Sequence, residues 1–94
     1  MAAHAGDGNL HPSFDVLGAD PRSTAELEAA GWAAADELIS ATLRLGGTVT
    51  GEHGVGVLKR RWLRDELGDE NVALQRSLKA VFDPLGILNP GKVY

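Results

Sequence analysis

Ala2-Ala3-His4-Ala5-Gly6-Asp7-Gly8-Asn9-Leu10-His11 places a Gly-Asp-Gly-Asn turn signature between two short segments with strand character, and so predicts a β-hairpin. A two-residue turn at Asp7-Gly8 would set His4 directly opposite His11 on one face, with Cβ atoms roughly 4.5–5.5 Å apart. Two imidazoles at that separation can share a divalent cation at about 2.0–2.1 Å per bond, and need one more ligand for an open site. Glu52 is the natural third ligand. The commoner fate of histidine in a Gly-rich segment, exposure or a hydrogen bond, stays open for both residues. Asp7 and Asn9 are read as turn formers.

Downstream of the hairpin, Phe14 and Val16 keep the alternation of a strand, which ends in the turn residues Gly18-Ala19-Asp20-Pro21. Ser23-Thr24-Ala25-Glu26 has the pattern of a capping box and predicts a helix start. At 100° per residue, Leu27, Gly31, Ala34, Leu38, Ala41 and Leu45 form one stripe, while Glu26, Glu28, Asp36, Glu37 and Arg44 point elsewhere. Gly46-Gly47 supplies the left-handed C-terminal stop.

Thr48-Val49-Thr50 is β-branched and predicts a short strand, followed by the glycine-rich Gly51-Glu52-His53-Gly54-Val55-Gly56. Adjacent strand residues face opposite ways, so Glu52 and His53 serve one site only if Gly51 and Gly54 bend the chain. With a cation on His4, His11 and Glu52, His53 becomes the candidate general base, because imidazole exchanges protons near neutral pH. A surface histidine in a loop is its other reading. The spacing G-x-x-G-x-G is neither a dinucleotide fingerprint nor a P-loop. The basic run Lys59-Arg60-Arg61 with Arg64 reads as a solvated helix face that could also meet an acidic substrate or partner.

Leu58 to Leu67 predicts a charged helix, broken or re-capped at Gly68-Asp69. A second helical stretch, Glu70 to Phe82, carries Leu74, Leu78, Val81 and Phe82 on one side. Asp83-Pro84 stops it. The remaining tail contains Ile87, Leu88 and Val93, which predict that it packs against something.

The 94 residues suit a single domain or less, and 44% hydrophobic with 23% charged residues is globular composition. Nine Lys and Arg against thirteen Asp and Glu give a net charge of −4, which leaves no basic footprint for nucleic acid. With no cysteine, disulfides, thiolate zinc sites and iron–sulfur clusters are excluded. No apolar run has the roughly 18 residues of a membrane span, and no signal-peptide pattern opens the chain. A cytoplasmic location is expected.

His4-Ala5-Gly6-Asp7-Gly8-Asn9-Leu10-His11, Gly51-Glu52-His53-Gly54-Val55-Gly56 with Lys59, Phe82-Asp83-Pro84 and Leu88-Asn89-Pro90-Gly91-Lys92 together resemble the C-terminal segment of FAD-linked oxidases of the vanillyl-alcohol oxidase superfamily. The resemblance is to the group of glycolate oxidase FAD subunit, D-lactate dehydrogenase and D-2-hydroxyglutarate dehydrogenase, and it spans essentially the whole chain. It implies metal binding by His4, His11 and Glu52, with zinc or manganese as the cation. It further implies His53 as the base that removes the hydroxyl proton, and Asn89 and Lys92 on the flavin side of the site. The implied reaction oxidises a 2-hydroxy acid to the 2-keto acid with hydride transfer to FAD. Relatives that handle 2-hydroxyglutarate carry Asn where this chain has Ser13, so glycolate or D-lactate is at least as well matched.

The expected fold is α+β: a short antiparallel sheet, built from the hairpin and the Thr48 strand and covered by helices, forming residues 1–94 of a larger substrate cap. The FAD-binding domain is expected to be a separate partner, so these residues alone should be inactive. Unpaired strand edges and apolar surface predict self-association. The competing reading is a non-catalytic metal-binding or protein-interaction module derived from the same segment.

Overall fold

The computed structural model describes residues 1–15 and 24–94, and its order of strand, strand, helix, helix is that of a small α+β chain. It divides into two units, Met1–Ala41 and Thr42–Tyr94. The strand-to-turn passage expected over Val16–Pro21 and the cap expected at Ser23 lie outside the described residues.

In the first unit, β1 (Ala2–His4) pairs antiparallel with β2 (Asn9–His11) in the register Ala2↔His11, Ala3↔Leu10 and His4↔Asn9. The turn is not the two-residue Asp7-Gly8 reversal, which would need positive φ at both residues. Ala5–Asp7 instead form one 3-10 turn, and the single left-handed step falls on Gly8 (φ 70°), whose N–H donates to the Ala5 carbonyl at 3.2 Å. Asn9 is accordingly a strand residue, not a turn former. Pro12–Asp15 carry no strand, and Phe14 is half exposed.

Helix α1 (Thr24–Arg44) presents Leu27, Gly31, Ala34, Leu38 and Ala41 as a half-buried stripe, with Glu26, Glu28, Glu37 and Arg44 exposed, as the periodicity predicts. Asp36 is half-buried, and Leu45 falls beyond the last turn and is exposed. The helix ends with Gly46 at φ 81°, its N–H donating to Leu43 O at 3.0 Å, while Gly47 N–H donates to Thr42 O at 2.9 Å. These paired bonds satisfy two carbonyls that a helix end otherwise orphans. A Cβ on Gly47 would meet Thr42 Cγ2 at 2.7 Å, so a side chain there would have to displace the Thr42 methyl.

In the second unit, the core gathers Val49, Trp62, Leu63 and Val72. Thr48–Thr50 form no strand. The Val49 N–H goes to a side-chain carboxylate, that of Glu66, in place of a neighbouring strand. A 3-10 turn over Lys59–Trp62 leads into α2 (Leu63–Phe82), which is interrupted at Gly68 (φ 77°, ψ 163°), the break that Gly68-Asp69 predicts. Past the break, Val72, Gln75, Lys79 and Asp83 are the buried or half-buried positions, whereas Leu74, Leu78, Val81 and Phe82 are all exposed. The apolar residues do share a side, but it faces away from this unit's interior.

Candidate functional site

His4 ends β1 and His11 ends β2. In the observed register they are diagonal neighbours, since the residue opposite His4 is Asn9. A register shift of two preserves which face every side chain occupies, and diagonal positions stay within reach of aromatic rings. The imidazoles therefore still meet: their centroids are 5.2 Å apart, with planes at 79°. Two rings so disposed have the donor chemistry for one divalent cation, provided a further ligand joins them.

Gly51–His53 form a turn, and Gly54 (φ 71°) and Gly56 (φ 55°) carry the chain through left-handed steps. The bend removes the alternation of a strand, so Glu52 and His53 lie on the same side, with Oε1 and Nε2 3.4 Å apart and both side chains exposed. The segment before this turn is fixed by Glu66, whose carboxylate accepts from Thr48 Oγ1 at 2.6 Å and from Val49 N–H at 2.8 Å. Glu66 escapes sequence reasoning because an acidic residue in a charged helix carries no mark of a distant partner.

The C-terminal tail returns to this loop. Val93 N–H donates to Gly56 O at 2.8 Å and the Arg60 guanidinium to Gly91 O at 2.6 Å, which ties the tail to both ends of the Gly56–Arg60 stretch. Val93 adopts φ 68° in doing so, a strained conformation for a β-branched residue. Asn89 and Lys92 face one another within the tail, Lys92 Nζ to Asn89 Oδ1 at 3.4 Å and Lys92 N–H to Asn89 O at 3.2 Å.

Asp83 anchors the start of the tail. Its carboxylate is buried and accepts from the N–H groups of Ile87 and Leu88 at 3.0 Å each, and from the Lys79 ammonium. The Lys79 hydrogen bond, helped by the two backbone amides, holds the Asp83 carboxyl below its ordinary range against the opposing effect of burial. Tyr94 OH closes the far end on Gln75 Oε1 at 2.6 Å. The tail thus packs as predicted, but by polar contacts. Ile87 and Leu88 remain exposed.

Comparison with known proteins agrees with these motifs. The profile of FAD linked oxidases, C-terminal domain, matches residues 1–93. Glycolate oxidase subunit GlcD of Bacillus subtilis is 47% identical over 97% of this chain and 18% of its own length. A mitochondrial D-lactate dehydrogenase [cytochrome] of Kluyveromyces lactis is 40% identical over the whole chain and 15% of its own length. A D-2-hydroxyglutarate dehydrogenase of Xanthomonas citri is 41% identical over 97% of the chain and 19% of its own length. The chain therefore spans less than a fifth of these relatives. No solved structure matches it.

Proposed function

Because this chain belongs to the family of FAD linked oxidases, C-terminal domain, we propose that it supplies the metal-binding and proton-accepting part of an FAD-dependent oxidoreductase acting on a small 2-hydroxy acid of the glycolate or D-lactate type. The observation that carries this reading is the edge-to-face contact of His4 and His11 at 5.2 Å. Two nitrogens from one hairpin face and an oxygen from Glu52 suit zinc or manganese. A cation held there would draw electron density from the substrate hydroxyl and make its proton easier to remove. His53, beside Glu52, accepts that proton on an imidazole nitrogen. FAD, held by an FAD-binding domain, would supply the acceptor for the hydride from the same carbon. Asn89 and Lys92 lie on a tail stapled to the His53 loop, which supports a role for them on the flavin side.

Titration of the chain with Zn²⁺ or Mn²⁺, alongside His4→Ala and His11→Ala, tests the cation site. Binding is expected in the parent and lost in both variants; equal binding in all three overturns the assignment. Joining the chain to an FAD-binding domain and adding D-lactate or glycolate tests the reaction. Metal binding with no flavin reduction would favour a non-catalytic metal-binding module.

A further inference from the structure

The second unit contains a surface cavity of about 270 Å³ walled by one continuous piece of chain, His53 through Lys59. Pockets for drug-sized ligands start at roughly 300 Å³, so this cavity has room for a small acid. Lys59 is half-buried in the wall, and no described residue accepts a hydrogen bond or ion pair from its ammonium. The neighbouring cations are engaged: Arg60 with Gly91 O, Arg64 with Asp69, Lys79 with Asp83 and Lys92 with Asn89. An ammonium that lines a cavity and has no acceptor within the protein is available to an anion that enters there.

The backbone of the wall favours an anion as well. The carbonyls of Val55 and Gly56 are occupied, by Lys59 N–H at 3.2 Å and Val93 N–H at 2.8 Å, which reduces the acceptor character of the lining. Gly54 and Gly56 have positive φ and Val55 does not. Such alternation is the backbone from which anion-accepting concavities are made.

We propose that Lys59 binds the carboxylate of the acid substrate in this cavity, with His53 at the opposite end of the same wall. This rests on the 2-hydroxy-acid reading above and assigns to that substrate a cationic partner within this chain. In a 2-hydroxy acid the hydroxyl and carboxylate sit on adjacent carbons. One short wall therefore has to provide both a proton acceptor and a positive charge. Lys59 makes no bond to the reacting atoms; it orients the molecule.

The test is a titration of the chain in chelator-treated, metal-free buffer with D-lactate and, separately, with its neutral amide. The signals followed are the backbone amides of residues 54–58 and the Lys59 Nζ resonance. D-lactate should shift these signals and the amide should not. Lys59→Gln should bind D-lactate about tenfold more weakly, and Lys59→Arg should retain binding within a few-fold. Equal affinity in Lys59→Gln, or equal shifts from the neutral amide, overturns the proposal. Helix content is read for each variant by circular dichroism, and should Lys59→Gln unfold, the acid-against-amide comparison on the unaltered chain decides. Metal is absent throughout, so failure of the cation site leaves this result untouched, and failure at Lys59 leaves the Zn²⁺ titration untouched.

Discussion

Glu66 in α2 accepts the backbone N–H of Val49 at 2.8 Å, and through that bond a helix side chain holds the segment leading into the Glu52–His53 turn. Val49 is only 3% exposed, so no water replaces the acceptor if it is removed. Glu66→Ala should therefore destabilise the chain by about 1–2 kcal/mol. Glu66→Gln, which keeps one carbonyl acceptor, should cost less. Urea unfolding measures both, and amide exchange at Val49 should accelerate most in the alanine variant. Unchanged exchange at Val49 would show that this bond does not hold the segment.

Gly8 and Gly68 separate two kinds of backbone strain. A Cβ at either position finds nothing within 4 Å, so substitution costs are torsional. Gly8 (φ 70°, ψ 13°) is left-handed, and Gly8→Ala should cost about 1 kcal/mol, with Gly8→Asn better tolerated. Gly68 (φ 77°, ψ 163°) occupies a region almost confined to glycine, so Gly68→Ala should cost up to about 3 kcal/mol. Thermal unfolding of the two variants should rank them in that order. Gly8→Ala should also weaken Zn²⁺ binding, since it loosens the hairpin that brings the two imidazoles together.

The Asp83 carboxyl is held below its ordinary range by Lys79 and the Ile87 and Leu88 amides. Its folded pKa lies under its unfolded value, so its stabilising contribution is complete above about pH 4 and disappears as pH falls through the folded value. The Ile87 and Leu88 amides should lose protection over that acid window. Asp83→Asn should expose both amides at neutral pH and flatten the acid limb of the stability profile. An unaltered acid limb in Asp83→Asn would assign the pH dependence to other carboxylates.

Leu74, Leu78, Val81 and Phe82 form an exposed side of α2, with Phe82 at 81% exposure. The chain in isolation should cover this surface by self-association that rises with concentration, as sedimentation velocity would record. Val81→Glu with Phe82→Glu should weaken that association about tenfold or more, because each introduces a charge that burial would strip of water. A monomer at all concentrations in the parent chain would exclude the association.

Local chemistry was enough to place most elements. The apolar stripe from Leu27 to Ala41 and the Gly46-Gly47 stop locate α1, and Gly68 marks the interruption in α2, because periodicity and permitted φ are properties of neighbouring residues. The face shared by His4 and His11 was equally readable, since the pleat alternates strictly and a shift of two residues leaves it intact. The motifs around His4, Glu52 and Asn89 likewise carry the family without any coordinates. Three matters lay beyond the sequence: that His4 sits against Asn9, that Val49 is held by a carboxylate and not by a strand, and that the apolar side of α2 turns outward while Gln75, Lys79 and Asp83 turn in. Each depends on which distant group arrives as a partner. The pattern of a segment records what it is able to bury or bond, and only the folded chain decides where those partners stand.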